Sequence, residues 1–324
     1  MVEALAYLGE GAIGSIMPIA RQAKWNARRY AASACAALST VDRDPDIAFL
    51  VGCGRSGTTI LGRLLAVHPK IRYLNEPLDI WFAVEPRTDC IDFFGGKGLC
   101  HLDEGHVNQA SVARARGLFG VIQALSPGKL LVEKLPSNAW RLRWLRVLFP
   151  KARFIHIVRD GWDVIRSIAT LAANTTYKVS GRRAFNQWWG VANYKLERMI
   201  EEAPRYVDYH YRLVKADRAS AAMHMTFAAH EWISANLDVE EARRQLELGA
   251  GDYFFLRYED LLQRPMECLE GLFEWLAVGE IEGASRCRMQ ALWRPKRANS
   301  GSVVLEDWVV RDFGRVMDRY GYGM

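Results

Sequence analysis

Residues Gly52-Cys53-Gly54-Arg55-Ser56-Gly57-Thr58-Thr59 follow directly on the apolar run Ile47-Ala48-Phe49-Leu50-Val51. Glycines at this spacing let a chain fold tightly around an anion, and the amides opening the next helix point at it with the positive end of their dipole. The segment therefore reads as a phosphate- or sulfate-binding turn. A turn built for nucleoside triphosphates places Lys and then Ser or Thr after its last glycine, to reach the terminal phosphates and to ligate magnesium. Here Thr58 stands in the lysine position, and the nearest cation is Arg55. A guanidinium fixed in the loop can neutralise a charged leaving oxygen without a metal. Gly54, Arg55, Ser56, Gly57, Thr58 and Thr59 are the candidate anion-binding set, suited to group transfer rather than to ATP hydrolysis.

A second stretch, Phe154-Ile155-His156-Ile157-Val158-Arg159-Asp160-Gly161-Trp162-Asp163-Val164-Ile165-Arg166-Ser167, reads as a strand running into a helix. In an open parallel sheet, ligands gather at the carboxyl ends of the strands, which would bring Arg159 to the same anion. Ser167, two helical turns further on, could add a hydroxyl donor; an ion pair of Arg159 with Asp160 or Asp163 is the structural alternative. Glu76, in Tyr73-Leu74-Asn75-Glu76-Pro77-Leu78, lies just past another expected strand. A carboxylate at such a crevice can serve as a general base, whereas a capping or surface glutamate would serve no chemistry. Lys134 closes Leu130-Leu131-Val132-Glu133-Lys134, where an ammonium can stabilise a developing anion. His156 falls inside a strand and reads as a core residue. His101 and His106 lie in a long loop and could touch an acceptor. Trp188, Trp189, Trp232 and Trp275 read as packing residues.

The elements that must position these groups follow from short apolar runs at 47–51, 71–74, 130–134, 153–159 and 253–257, with helical patterns between most of them. Such alternation predicts an α/β fold, P-loop-like, with a mainly parallel sheet and helices on both faces. Asp42-Arg43-Asp44-Pro45-Asp46 is a charged break, which divides a helical N-terminal arm, 1–45, from one domain, 46–324. Residues 84–111 read as a long loop that shapes a pocket, and 182–248 as mainly helical.

The chain has 324 residues, half of them apolar, and a net charge of +6 spread without a basic tract. This suits an anionic small molecule and gives no sign of nucleic acid. Six dispersed cysteines, Cys35, Cys53, Cys90, Cys100, Cys268 and Cys287, have neither a disulfide-scaffold pattern nor zinc-ligand spacing. A reducing, cytoplasmic setting is the expectation, although Cys90 and Cys100 could close a short loop in an exported chain. No uncharged stretch reaches the ~18 residues of a bilayer span. Arg21, Lys24, Arg28 and Arg29 beside Trp25 are suited to peripheral contact with an anionic membrane; a helix packed on the core is the alternative.

Taken with their order, these motifs resemble the sulfotransferases that use 3'-phosphoadenosine 5'-phosphosulfate, closest in style to the carbohydrate and tyrosylprotein enzymes. The glycine turn is similar to that family's 5'-phosphosulfate loop, and Arg159 with Ser167 to its 3'-phosphate clamp. Tyr258-Glu259-Asp260-Leu261 with Pro265 resembles a late family element, and Arg297-Ala298-Asn299-Ser300-Gly301-Ser302 its cofactor-covering segment. The resemblance implies donor contacts from Arg297 and Ser300, Glu76 as base, and Lys134 where cytosolic small-molecule sulfotransferases carry a catalytic histidine. It implies sulfuryl transfer to an acceptor hydroxyl, of a carbohydrate or glycolipid in preference to a peptide tyrosine, with no metal. Two rivals stay open: a P-loop small-molecule kinase, and a non-catalytic nucleotide-binding or membrane-associated protein.

Overall fold

A computed structural model describes residues 19–38, 44–174, 176–179, 183–203, 207–217, 221–293 and 305–323. Its strands are β1 (Ile47–Val51), β2 (Ile71–Asn75), β3 (Leu130–Lys134), β4 (Arg153–Val158), β5 (Thr176–Val179), β6 (Arg183–Asn186), β7 (Gly190–Val191) and β8 (Tyr253–Arg257). Five of them form one sheet in the order β2-β3-β1-β4-β8, and every pairing in it is parallel. The chain order of helices is α1 (Ile19–Leu38), α2 (Thr58–Leu65), α3 (Leu78–Val84), α4 (Gln109–Ala124), α5 (Leu142–Leu148), α6 (Gly161–Asn174) and α7 (Tyr194–Glu202). Then come α8 (His210–Lys215), α9 (Ala221–Gln245), α10 (Tyr258–Gln263), α11 (Pro265–Trp275), α12 (Gly283–Leu292) and α13 (Asp307–Arg319).

Helices cover both faces of this sheet, which is why β1 and β3 are buried at every position and read as unbroken apolar runs. On one face Ala48, Leu50, Val132, Ile155 and Ile157 meet Leu61 and Leu64 of α2 and Leu269, Leu272 and Phe273 of α11. On the other, Phe49, Leu131 and Phe154 meet Trp81 of α3, Phe119 of α4, Trp144 of α5 and Trp232 of α9. All five expected strands occur, at nearly the expected bounds. The 182–248 segment is mainly helical, through α7, α8 and α9, but departs from that expectation at its start, where β6 and β7 join β5 in a separate antiparallel sheet. Strands of two to four residues are too short to show a period of two.

The N-terminal helix α1 turns Trp25, Arg28, Arg29, Ala32, Cys35 and Ala36 toward the domain and Lys24, Ala27, Tyr30, Ser33 and Ala34 toward solvent, a spacing of three and four that defines one helical face. Arg28 donates from Nε and Nη2 to the two oxygens of Asp79 at 2.9 and 3.2 Å, and Asp79 is fully buried. Trp25 meets Phe93 and Phe94 edge-on, and Arg29 lies over Phe82 and Phe94. Two of the four cations expected to face a membrane are thus engaged with α3 and the loop beyond it. Among the described residues no helix is long and apolar enough to cross a membrane.

Removing one partner of a buried ion pair leaves the other charge uncompensated. Arg28→Met should therefore lower stability by about 3 kcal/mol in urea denaturation. A loss below about 0.5 kcal/mol would show that α1 is not held through Asp79.

Candidate active site

The carboxyl ends of β1, β2, β3 and β4 bring the sequence-selected residues to one edge of the sheet. After β1 the chain turns through Arg55, whose φ is 72°, and enters α2 at Gly57, whose φ is 96°. Gly57 is required twice over. Besides its left-handed backbone, a Cβ there would sit 2.4 Å from the Tyr258 ring. Ser56 Oγ is buried and has no hydrogen-bond partner among the described residues. A buried hydroxyl without a partner is uncommon, and in this turn it fits an anion held by the α2 amides.

Glu76 and Lys134 meet across adjacent strands. The β2–β3 register sets Asn75 opposite Lys134, and the Glu76 amide donates to the Lys134 carbonyl at 2.7 Å. Glu76 itself has φ 48°, a left-handed conformation that costs a non-glycine residue on the order of 1 kcal/mol. This bend turns its carboxylate onto Lys134 Nζ, which donates to Glu76 Oε1 at 2.5 Å and to Thr59 Oγ1 at 2.9 Å. The lysine side chain is fully buried while that of Glu76 is 46% exposed. One carboxylate therefore faces the crevice and neutralises an ammonium beneath it.

Arg159 follows β4, and Asp160 starts α6 by accepting the Trp162 and Asp163 amides on Oδ1. Positions 159, 163 and 167 then share one helical face. Arg159 donates to Asp163 at 2.8 Å and to the Arg55 carbonyl at 3.4 Å, and its guanidinium lies 4.8 Å from the Tyr258 ring centre. Ser167 Oγ accepts from Arg55 Nε at 2.9 Å. The structural alternative is therefore present, as Arg159 pairs with Asp163, and the same guanidinium also touches the turn through the Arg55 carbonyl. Its Nε is buried without a hydrogen-bond partner among the described residues. Burial first, and then the neighbouring Arg159 charge, hold the Arg55 guanidinium below its ordinary value, with Glu76 opposing. Two cations brought this close favour an anion between them.

A supporting layer beneath the turn was not found from sequence. A Cβ on Gly54 would lie 2.4 Å from the Trp188 ring, so this half-buried indole packs directly against the turn. Its Nε1 donates to Glu231 of α9 at 2.6 Å. Lys195 of α7 donates to the other Glu231 oxygen at 2.6 Å and stands 4.5 Å from the Trp188 ring centre. The adjacent tryptophans at 188 and 189 are the sequence signal for this layer, and both pack as their types suggest. Trp189 and Trp232 are indeed fully buried, and the Trp232 indole donates to the Arg159 carbonyl at 3.2 Å.

Other sequence candidates lie elsewhere. His156 is fully buried, with Nδ1 2.6 Å from the Tyr253 hydroxyl. His101 is buried between Asp103 and Asp238, and His106 lies 2.7 Å from Asp103; these contacts do not bring either histidine to Glu76 or the turn. Arg297 and Ser300 lie outside the described residues. Glu133 points to the face opposite Lys134, where it accepts from Trp81 and Asn138, and burial pushes its carboxyl up to about 8.

Because Trp188 is fixed by Glu231, an added methyl at position 54 must displace it or the turn. Gly54→Ala should cost about 2 kcal/mol, but under about 0.5 kcal/mol in a Trp188→Ala background. Equal costs in both backgrounds would show that the indole does not set the position of the turn.

The chain is 25% identical over 218 residues to omega-hydroxy-beta-dihydromenaquinone-9 sulfotransferase of Mycobacterium tuberculosis, a match covering 64% of this chain and 45% of that protein. It is 26% identical over 178 residues to protein-tyrosine sulfotransferase 1 of Danio rerio, covering 52% and 49%. The chain thus spans about half the length of these relatives. The fold is shared with the crystal structure of sulfotransferase STF9 from Mycobacterium avium, at 16% identity and a TM-score of 0.55, covering 97% of this chain and 88% of that one. The sulfotransferase family profile matches residues 46–217, more than half of the chain and the whole span from the anion turn through Glu76 and Lys134 to Ser167; the protein belongs to the sulfotransferase family.

Proposed function

We propose that the chain transfers a sulfuryl group from 3'-phosphoadenosine 5'-phosphosulfate to an acceptor hydroxyl carried by a carbohydrate or glycolipid. The observation that carries this reading is the Glu76–Lys134–Thr59 contact at the mouth of the anion turn, with its 2.5 Å and 2.9 Å hydrogen bonds. The residues present fit the donor: the α2 amides, Ser56 Oγ, Thr58 and Arg55 suit its phosphosulfate, and Arg159 with Ser167 suits its 3'-phosphate. Holding the remote phosphate converts binding energy into alignment at sulfur.

Transfer is then one in-line displacement. Glu76 takes the proton of the acceptor hydroxyl, whose oxygen forms the new bond to sulfur as the bond from sulfur to the bridging phosphate oxygen breaks. Lys134 and Arg55 stabilise the charge that grows on that oxygen. The products are a sulfate ester and adenosine 3',5'-bisphosphate. An unionised hydroxyl needs a base, and the half-exposed carboxylate of Glu76 supports that role. The relatives named for a menaquinone ω-hydroxyl and for protein tyrosine supply the competing acceptor classes.

Turnover of labelled donor on glycan, glycolipid, hydroxylated isoprenoid quinone and tyrosyl-peptide acceptors tests the reading. Glycan or glycolipid turnover is expected, and turnover confined to quinone or peptide would reassign the acceptor. Glu76→Gln should lower turnover on the preferred hydroxyl by about 100-fold while donor affinity changes little. On an acidic phenol that is already ionised at assay pH, the same variant should recover. Near-normal turnover on the unactivated hydroxyl would remove Glu76 from the role of base. Arg159→Ala should weaken donor binding by about 2 kcal/mol; unchanged affinity in calorimetry would leave Arg159 a structural partner of Asp163.

A further inference from the structure

The order of strands lays the site out along one edge of the sheet. Arg159 stands at the end of β4, the anion turn follows β1, Lys134 closes β3 and Glu76 follows β2, and these strands lie side by side as β4-β1-β3-β2. With the donor's phosphates held at β4 and β1, sulfur passes at the ends of β3 and β2, and the acceptor approaches from the β2 side. β2 is the outermost strand there, and its last residue, Asn75, is exposed. The β2–β3 register sets Tyr73 beside Val132 and Asn75 beside Lys134. Side chains two apart on a strand share a face, and this is the face toward α2, where Val132 packs on Leu61 and Lys134 reaches Thr59.

Asn75 is exposed but not loose. A Cβ on Gly62 of α2 would lie 2.2 Å from Tyr73 Cζ and 2.3 Å from its hydroxyl oxygen, so the phenol ring rests directly on the helix. The Tyr73 hydroxyl donates to Asn75 Oδ1 at 2.9 Å. Burial, and then the nearby Glu76 charge, push that hydroxyl above its ordinary value, which keeps it protonated and able to donate. A carboxamide whose oxygen is engaged presents its two N–H groups on the other side, and among the described residues no group accepts from Asn75 Nδ2. We propose that Asn75 is a specificity-determining residue whose Nδ2 donates to a second hydroxyl of the acceptor, close to the one that reacts, and that Tyr73 is the residue that positions it. This rests on the carbohydrate or glycolipid reading and deepens it. Glu76 takes a proton from the reacting hydroxyl and does not tell one hydroxyl from another; a donor fixed one residue away grips a neighbouring oxygen and so orients the acceptor for in-line attack. A sugar carries such an oxygen beside each hydroxyl, whereas a tyrosyl phenol or a terminal isoprenoid hydroxyl does not. Because Asn75 is exposed, an acceptor lacking the second hydroxyl leaves water on the amide, and the discrimination is that of one neutral hydrogen bond rather than of a buried unpaired group.

The test is kcat/KM of the full chain on a glycoside acceptor and on its monodeoxy analogues, in which each hydroxyl other than the sulfated one is removed in turn. The unsubstituted chain should prefer the glycoside about tenfold over one of these analogues, and Asn75→Ala should bring that preference close to unity by lowering kcat/KM on the glycoside. Affinity for adenosine 3',5'-bisphosphate in calorimetry should not change. Tyr73→Phe keeps the ring on Gly62 and should lose part of the same preference, and the Tyr73→Phe/Asn75→Ala double variant should be no worse than Asn75→Ala alone. Glycoside turnover with no preference over any analogue, with a preference that Asn75→Ala leaves intact, or with a loss of bisphosphate affinity that accounts for the whole effect, would overturn the role of Asn75 and leave the acceptor reading standing. No turnover on any glycoside would overturn both. Losses that add in the double variant would overturn the positioning role of Tyr73, and Asn75→Ala decides the proposal if Tyr73→Phe fails to fold.

Discussion

Lys134 brings an ammonium to the end of β3 with none of its side chain exposed, and a buried charge must be matched where it stands. Desolvating such an ion costs several kcal/mol unless geometry and hydrogen bonds compensate. Glu76 supplies that match at 2.5 Å and Thr59 adds a hydroxyl. The requirement fixes the ends of β2 and β3 and the start of α2 relative to one another. It also explains why the chain tolerates a left-handed backbone at Glu76. The strain is small beside the cost of an unmatched lysine, and the same bend leaves the carboxylate half open to the crevice.

Around this pair the fold arranges cations by packing rather than by exposed ion pairing. Tyr258 is shared between the α2 entry, where it meets Gly57, and Arg159, whose guanidinium lies over its ring. Glu259, the next residue, accepts the Asp160 amide at 3.1 Å and is bonded by the Tyr322 hydroxyl, so Tyr322 braces the end of β4. Helix α9 serves both sides of the site. Its Trp232 holds the Arg159 carbonyl, and its Glu231 fixes Trp188 against the anion turn. The 52–59 turn is thus supported through Trp188 by the buried Lys195–Glu231 pair.

Much of this was legible in the sequence because local rules sufficed. Strands buried on both faces are continuous apolar runs, and the glycine turn carries its conformation in its own residues. Glu76 and Lys134 were legible as types at strand ends, but their contact was not, since 58 positions separate them and only the β2–β3 register brings them together. The same limit hid the inward set of α1, where Arg28 reads as a surface cation until Asp79 is placed beneath it. Trp188 could not be told from a core tryptophan without knowing that Gly54 lies against it. His101 and His106 share a polar loop with residues that suggest a pocket, yet their charge partners Asp103 and Asp238 hold them elsewhere.

The central claim is that this turn receives a sulfonucleotide through arginines and a buried lysine, rather than a magnesium-bound triphosphate through a loop lysine. Thermal unfolding of the full chain, with adenosine 3',5'-bisphosphate in one arm and ATP with magnesium in the other, tests it most directly. At a hundredfold excess over its dissociation constant the bisphosphate should stabilise the fold by about 2.7 kcal/mol, with magnesium-ATP giving far less at equal concentration. Equal or greater stabilisation by magnesium-ATP, with no response to the bisphosphate, would contradict the account.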